Sequence, residues 1–127
     1  MVDQNKIKVL LVDDDKFLLD MYSLKFKKSD IDIETCSSSI SALEKIRSKN
    51  NYDVILLDII MPGMDGLELL KKIREEKLAP MSKIVMLTNQ ADDYDKARAL
   101  GVSGYIIKAT TIPSEVVDQV ISINKAK

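Results

Sequence analysis

The sequence contains no histidine and a single cysteine, and these two shortages remove most of the common catalytic and metal-binding chemistries. Without histidine there is no Ser-His-Asp triad, no His-ligated zinc and no phosphohistidine on this chain. One cysteine, Cys36, excludes an internal disulfide framework and a zinc site built from several thiolates. Chemistry on this chain must therefore use carboxylates, lysine, hydroxyls or a bound metal that prefers oxygen ligands.

The sequence also lacks an excess of basic charge and any long apolar run. Its 19 Lys and Arg residues nearly balance 20 Asp and Glu residues, which argues against direct nucleic-acid binding. No apolar run approaches the roughly 20 residues that span a bilayer, and the first residues lack the core of a signal peptide. We therefore expect a cytoplasmic protein without membrane contact, folded as a single domain over its 127 residues (1–127).

Short apolar, β-branched runs alternate along the chain with longer segments of helical periodicity. Strands are predicted over 7–12, 31–36, 54–57, 83–87 and 104–107. Helices are predicted over 16–28, from 38 or 39 to 48, over 66–76 and 92–100, and from Pro113 onward. Five consecutive βα units predict an α/β fold with a five-stranded parallel sheet, helices on both faces and the flavodoxin-like strand order 2-1-3-4-5.

The periodicity also predicts which side chains of the first two helices face the core. Spacing of three or four residues places three apolar side chains on one face of each helix: Phe17, Met21 and Leu24 in the first, with Leu18 and Tyr22 beside them, and Ile40, Leu43 and Ile46 in the second. Phe26 is also expected in the core. Cys36 is expected to be a small buried or edge residue without a redox role.

Polar residues follow four of the predicted strands at the point where each strand ends: Asp13-Asp14-Asp15, Asp58, Thr88 and Lys108. The carboxyl ends of parallel strands meet at one edge of a sheet, where ligands of such folds bind. Neighbouring carboxylates repel one another, and with oxygen donors only, Mg²⁺ is the natural cation to join them. A carboxylate beside such an ion is suited to attack a phosphoryl group, whose oxygens a lysine and a hydroxyl would stabilise.

Four segments together resemble the receiver domain of bacterial two-component response regulators, of the chemotaxis-regulator type: LLVDDD (10–15), DIIMPGMDG (58–66), LT (87–88) and GYIIK (104–108). They occur in the family's order and spacing, and the resemblance covers essentially the whole chain. The segment that begins at Asp58 is highly specific, whereas the acidic triplet alone is a weak indication.

The resemblance implies that Asp58 is the phosphoacceptor, taking a phosphoryl group from the phosphohistidine of a sensor histidine kinase or a phosphotransfer protein. It implies a Mg²⁺ ion bound directly by Asp14, by Asp58 and by the backbone carbonyl of Ile60. Asp13 would act mainly through water or by orienting the other ligands. Lys108 would contact the phosphoryl oxygens.

The resemblance further implies a switch in which Thr88 hydrogen-bonds to the phosphoryl group and Tyr105 rotates inward. The fourth helix, fifth strand and fifth helix (α4-β5-α5) would then form the output face, as a shift between two populated states. Such a protein is not a turnover enzyme. Its output would be a downstream protein target or an effector domain outside this chain, and it would be a monomer or a weak homodimer through the same face.

The sequence departs from the family pattern at three positions around this site. Ala109 follows Lys108 where proline is usual, and since a cis bond before a non-proline residue costs about 2.5–4 kcal/mol, we predict a trans peptide. Asn89 is larger than the usual residue after Thr88 and would narrow access to the phosphoryl site. Ile60 and Gln90 occupy the two positions where family members vary and where the water that removes the phosphoryl group is handled. The apolar side chain of Ile60 cannot orient that water, which predicts slow loss of the phosphoryl group.

Two alternatives remain open from the sequence. In an aspartyl-phosphate hydrolase of the haloacid-dehalogenase type, Asp13 would be the nucleophile and Asp15 the acid/base, although Phe17 stands where that family has Thr or Val. In a degenerate receiver, the chain would be a phosphorylation-independent protein-binding module. Phosphorylation at Asp13 would favour the first, and a failure to bind beryllofluoride with Mg²⁺ would favour the second.

Overall fold

The computed structural model describes residues 6–48 and 51–126, which form five strands and five α-helices in alternation. The strands are β1 (Lys8–Val12), β2 (Asp32–Cys36), β3 (Val54–Leu57), β4 (Lys83–Thr88) and β5 (Gly104–Ile107). The helices are α1 (Lys16–Lys28), α2 (Ser39–Ser48), α3 (Gly66–Glu75), α4 (Tyr94–Ala99) and α5 (Pro113–Lys125). Short 3-10 turns lie at Ala91–Asp93 and Lys108–Thr110.

The strands form one parallel sheet in the order β2-β1-β3-β4-β5, which confirms the predicted flavodoxin-like α/β fold. Every residue of the central strand β3 is buried, as the uninterrupted apolar run predicts for a strand covered on both faces. Strand β2 lies at one edge of the sheet, and Cys36 at its end is buried.

Helices cover both faces of the sheet because alternate strand residues point to opposite sides. On one side, α1 and α5 enclose a core that includes Phe26, Leu56 and Val116. On the other, α2, α3 and Ala97 of α4 enclose a second core that includes Ile55 and Ile73. Among the described residues, no helix is long and apolar enough to cross a membrane.

The predicted core faces of the first two helices are partly wrong. Phe17 and Leu24 are 77% and 64% exposed, whereas Phe26 is buried as predicted and Met21 packs half-buried against the core. Leu19 and Tyr22 complete the buried face of α1. Asp15 caps α1 by accepting hydrogen bonds from the backbone N–H groups of residues 17 and 18, which fixes the first turn after only a short connection from β1. With the helix started in this way, the side chains of Phe17 and Leu24 point to solvent.

The prediction for α2 is right for Leu43 and Ile46, which are buried, and wrong for Ile40, which is 63% exposed. At 100° per residue, Ile40 lies about a third of a turn away from Ile46. The small residues Ser39 and Ala42 complete the buried face instead. The single helix predicted over 92–100 is also shorter than expected, because its first turn is the 3-10 turn Ala91–Asp93; Gly101, with φ of +80°, follows its end.

Candidate functional site

A pocket of about 300 Å³ lies at the carboxyl edge of the sheet, where β1, β3, β4 and β5 end. Its lining includes six of the seven residues to which the family resemblance assigns a role: Asp13, Asp14, Asp58, Ile60, Thr88 and Lys108. Asp15, Leu18, Asn89 and Gln90 complete it. The seventh residue, Tyr105, lies behind the pocket rather than in its wall.

Lys108 connects the two buried carboxylates of the pocket. Its Nζ donates to Asp13 Oδ2 at 2.7 Å and to Asp58 Oδ2 at 2.9 Å, and only 10% of its side chain is exposed. Burial would lower the pKa of Lys108, but the hydrogen bonds to the two carboxylates outweigh it and raise the pKa above its ordinary value. Lys108 is therefore a permanent cation next to the Asp58 carboxylate.

Asp58 sits at the end of β3 with its backbone and side chain both fixed. Its backbone N–H donates to the carbonyl of Val12 at 3.0 Å, which continues the β1–β3 ladder by one residue. Its Oδ1 accepts from the N–H of Ile59 at 2.8 Å, while Oδ2 accepts from Lys108. The carboxylate is thus held in one orientation at the floor of the pocket.

Asp13 and Asp14 differ sharply in environment although they are adjacent. Asp13 is buried, and its Oδ1 accepts from the N–H of Asp15 at 3.0 Å while Oδ2 accepts from Lys108. Burial raises the pKa of Asp13, and the hydrogen bond from Lys108 offsets part of that rise. Asp14 is exposed to solvent. Of the two, Asp14 is the carboxylate that an incoming ion reaches first.

The donor set of the pocket fits a hard divalent cation. One carboxylate oxygen each from Asp13, Asp14 and Asp58 lie within 4.8 Å of one another. Mg²⁺ favours oxygen ligands and binds through one or two carboxylates while it keeps several waters, and an open pocket of this kind leaves room for them. Burial raises the pKa of Asp13 because it disfavours the charged carboxylate. A cation bound beside Asp13 would stabilise that charged form.

The loop between β3 and α3 is folded tightly onto Asp58. The N–H of Gly66 donates to the carbonyl of Ile59 at 2.8 Å, and Asp65 forms a capping box with Glu68 at the start of α3. The buried hydroxyl of Ser39, on α2, donates to the carbonyl of Met64 at 2.6 Å. Local sequence patterns identify Ser39 as a helix start but do not reveal this contact, because its partner lies 25 residues away.

Thr88 and Tyr105 are connected through one backbone segment, residue Gln90. The buried hydroxyl of Thr88 accepts from the N–H of Gln90 at 3.1 Å, and the Tyr105 hydroxyl donates to the carbonyl of the same residue. A hydroxyl that accepts one hydrogen bond keeps its proton for another partner. The Tyr105 ring also packs edge-to-face on Tyr94 of α4, with 5.4 Å between ring centroids.

Asn89 and Ala109, two of the residues that depart from the family pattern, contact each other. The side-chain oxygen of Asn89 accepts a hydrogen bond from the N–H of Ala109 at 2.7 Å. No cis peptide bond occurs in the described residues, so the Lys108–Ala109 bond is trans, as predicted.

Comparison with known proteins agrees with this geometry. The family model of the response regulator receiver domain matches residues 9–120. The transcriptional regulatory protein ResD of Bacillus subtilis is 34% identical over 119 residues, which cover 92% of this chain and 48% of ResD. The chain thus spans about half the length of the curated relatives it matches.

Two crystal structures of response regulators share the whole fold. Chemotaxis response regulator CheY4 of Vibrio cholerae is 28% identical with a TM-score of 0.84, over 93% of this chain and 98% of that one. TrrA of Thermotoga maritima, crystallised in complex with Mg²⁺ and beryllium fluoride, is 28% identical with a TM-score of 0.80, over 92% and 98%. This chain belongs to the receiver domain family of two-component response regulators.

Proposed function

We propose that this chain is a working phosphoacceptor that takes a phosphoryl group onto Asp58 from the phosphohistidine of a sensor histidine kinase or a phosphotransfer protein. The observation that carries the proposal is the placement of Asp58: its carboxylate is fixed between the Lys108 ammonium and the carboxylates of Asp13 and Asp14. We also propose that residues 1–127 form one domain, and that it works in the cytoplasm without direct contact with nucleic acid or membrane.

The side chains divide the reaction between them. A carboxylate oxygen of Asp58 forms the new bond to phosphorus while the P–N bond breaks and its electron pair stays on the imidazole nitrogen. Lys108 neutralises charge on the phosphoryl oxygens, and the Thr88 hydroxyl donates to one of them. Asp14, Asp58 and the Ile60 carbonyl would hold a Mg²⁺ ion, and Asp13 would act mainly through water or by orienting these ligands. The ion would supply the remaining positive charge.

The same contacts supply a switch, because Thr88 and Tyr105 share Gln90. When Thr88 turns toward the phosphoryl group it weakens its bond to the Gln90 N–H, and the carbonyl that holds Tyr105 shifts with it. The α4-β5-α5 face then changes, which alters binding to a downstream protein, an effector domain or a second copy in a weak homodimer. The chain catalyses its own phosphorylation and dephosphorylation and turns over no separate substrate.

The dehalogenase-type alternative requires Asp13 as nucleophile. Asp15, the acid/base that this alternative requires, instead caps α1 by accepting hydrogen bonds from the backbone N–H groups of residues 17 and 18. These contacts favour Asp58 as the site of attack.

The test is intact mass after incubation with acetyl phosphate and Mg²⁺, comparing the native chain with Asp58→Asn. We expect one added phosphoryl group in the native chain and none in the variant or in EDTA. An adduct that persists in Asp58→Asn but is lost in Asp13→Asn would contradict the assignment. No adduct on a folded native chain would identify a degenerate receiver that acts as a binding module.

A further inference from the structure

We propose that Asn89 is a positioning residue of the phosphoryl site: its side chain ties the loop after Thr88 to the loop after Lys108. The inference rests on the proposed phosphoacceptor function and adds a residue to it. Its basis is the 2.7 Å hydrogen bond that the Ala109 N–H donates to the Asn89 side-chain oxygen.

This bond lies immediately beyond the end of the β4–β5 ladder. The last paired residues of these strands are Thr88 and Ile107. Beyond that pair the strands are no longer paired, and the Asn89 side chain supplies the acceptor for the Ala109 N–H. The two residues that would contact the phosphoryl group, Thr88 and Lys108, are the direct neighbours of the two that form this link.

The turn that carries Lys108 has weak anchors of its own. Within the turn, the Thr111 N–H to Lys108 carbonyl bond and the Thr110 hydroxyl to Ile107 carbonyl bond are both 3.4 Å long, beyond the usual range. No side chain caps the turn at its start. Among the described residues, the bond from Ala109 to Asn89 is the short one that fixes the backbone of this turn to the rest of the molecule.

The link affects phosphoryl binding and metal binding differently. A phosphoryl group or its mimic needs Thr88, on β4, and Lys108, after β5, at a fixed separation. The carboxylates that would bind Mg²⁺ follow β1 and β3. Lys108 donates to Asp13 and Asp58, but each of these also accepts from a backbone N–H next to its own strand, and those bonds do not depend on Asn89. Loss of the link should therefore weaken phosphoryl binding and leave Mg²⁺ binding unchanged.

A purely steric role for Asn89 predicts the opposite. Asn89 also lines the pocket, so its bulk alone could narrow the entrance. Asn89→Leu keeps nearly the same volume but removes the acceptor, whereas Asn89→Ala removes both. If Asn89 acts by bulk, the alanine variant gains affinity and rate and the leucine variant behaves like the native chain.

The experiment titrates beryllofluoride at saturating Mg²⁺ and, separately, Mg²⁺ alone, for the native chain and the two variants. Because the sequence has no tryptophan to report binding, ¹⁹F NMR follows the bound beryllofluoride, and backbone amide NMR follows Mg²⁺. We expect both variants to bind beryllofluoride about twofold to tenfold more weakly, the effect of one ordinary hydrogen bond, with an unchanged Mg²⁺ dissociation constant. Thr110→Val, which removes only the 3.4 Å bond, is the control and should match the native chain.

A second variant tests the other end of the link. Ala109→Pro has no N–H to donate, so we expect Asn89→Leu to add no further loss of beryllofluoride affinity in that background. Should Ala109→Pro fail to fold, the Ala109 amide resonance of the native chain and of Asn89→Leu decides instead: the link predicts slow hydrogen exchange in the former and fast exchange in the latter.

The outcomes separate this inference from the proposed function. Native affinity in Asn89→Leu, additive losses in the double variant, or an equal loss of Mg²⁺ binding would each overturn the positioning role while native phosphorylation stands. A native chain that neither binds beryllofluoride nor forms an adduct would overturn the phosphoacceptor function, and the positioning role with it.

Discussion

Gly66 packs directly against the backbone carbonyl of Asp58: a Cβ added at Gly66 would lie 1.9 Å from that oxygen. The start of α3 therefore presses on the end of β3 at the proposed phosphoacceptor. The Asp58 oxygen belongs to the backbone, and the backbone of Gly66 fixes where its Cβ would lie. No rotamer change can therefore relieve the clash. The two segments must separate, and the Asp58 carboxylate would move with them.

We predict that Gly66→Ala lowers the free energy of unfolding by about 3 kcal/mol, the upper end of overpacking, and abolishes phosphorylation of the folded fraction. Gly63→Ala is the matched control, since nothing lies within 4 Å of its added Cβ and only its φ of +75° opposes the change. The control should lose about 1 kcal/mol and keep phosphorylation. Urea unfolding and intact mass check both, and equal behaviour of the two variants would contradict the packing argument.

Removing the Lys108 ammonium should make the stability of the protein depend more strongly on Mg²⁺ than that of the native chain. Lys108→Met keeps the apolar stem but leaves the buried Asp13 carboxylate without its cation, which we expect to lower the free energy of unfolding by about 3 kcal/mol without Mg²⁺. Added Mg²⁺ should restore part of the loss by binding the folded state. In Lys45→Met, whose ion pair with Glu34 is partly exposed, the change should stay within about 0.5 kcal/mol. Equal, Mg²⁺-independent losses in the two variants would refute the prediction.

Ile60 should make loss of the phosphoryl group slow, because its exposed apolar side chain lines the pocket and offers no hydrogen bond to an attacking water. Ile60→Asn supplies an amide there, and we expect dephosphorylation about tenfold faster or more. The measurement is the decay of the phosphorylated mass after rapid removal of acetyl phosphate. Ile60→Val, apolar like the native residue, should decay at the native rate. A native lifetime of seconds would show that Ile60 does not limit the reaction.

Cys36 should be unreactive in the folded protein, because burial raises the pKa of its thiol above the ordinary value of 9.0. A raised pKa favours the folded state fully at pH values below the unfolded pKa of about 9, and this contribution is lost as the pH rises toward the folded pKa. Iodoacetamide at pH 8.5 should therefore alkylate the urea-unfolded chain much faster than the folded one. Cys36→Ala should lack the native chain's corresponding fall in unfolding free energy between pH 8 and pH 10. Fast alkylation of the folded chain would show that the thiol is accessible.

The order of apolar runs and helical segments along the chain is enough to predict the fold and the strand ends that meet at the pocket. Uninterrupted apolar runs separated by helical segments leave few arrangements besides a parallel sheet, and such a sheet brings the ends of its strands to one edge. Asp13, Asp58, Thr88 and Lys108 each directly follow or end a strand, so their convergence needed only the strand order. Local chemistry also fixed the trans peptide before Ala109, through the cost of the alternative.

Which apolar side chains of α1 are buried depends on packing that the sequence pattern does not report. Phe17 and Phe26 are equally hydrophobic, and periodicity cannot choose between them; Phe26 is buried and Phe17 is exposed. The contact between Asn89 and Ala109, 20 residues apart, was likewise beyond the sequence. The sequence pattern reports the periodicity of each helix and strand. Contacts between groups that are distant in sequence depend on how the helices and strands pack together, and the whole core determines that packing.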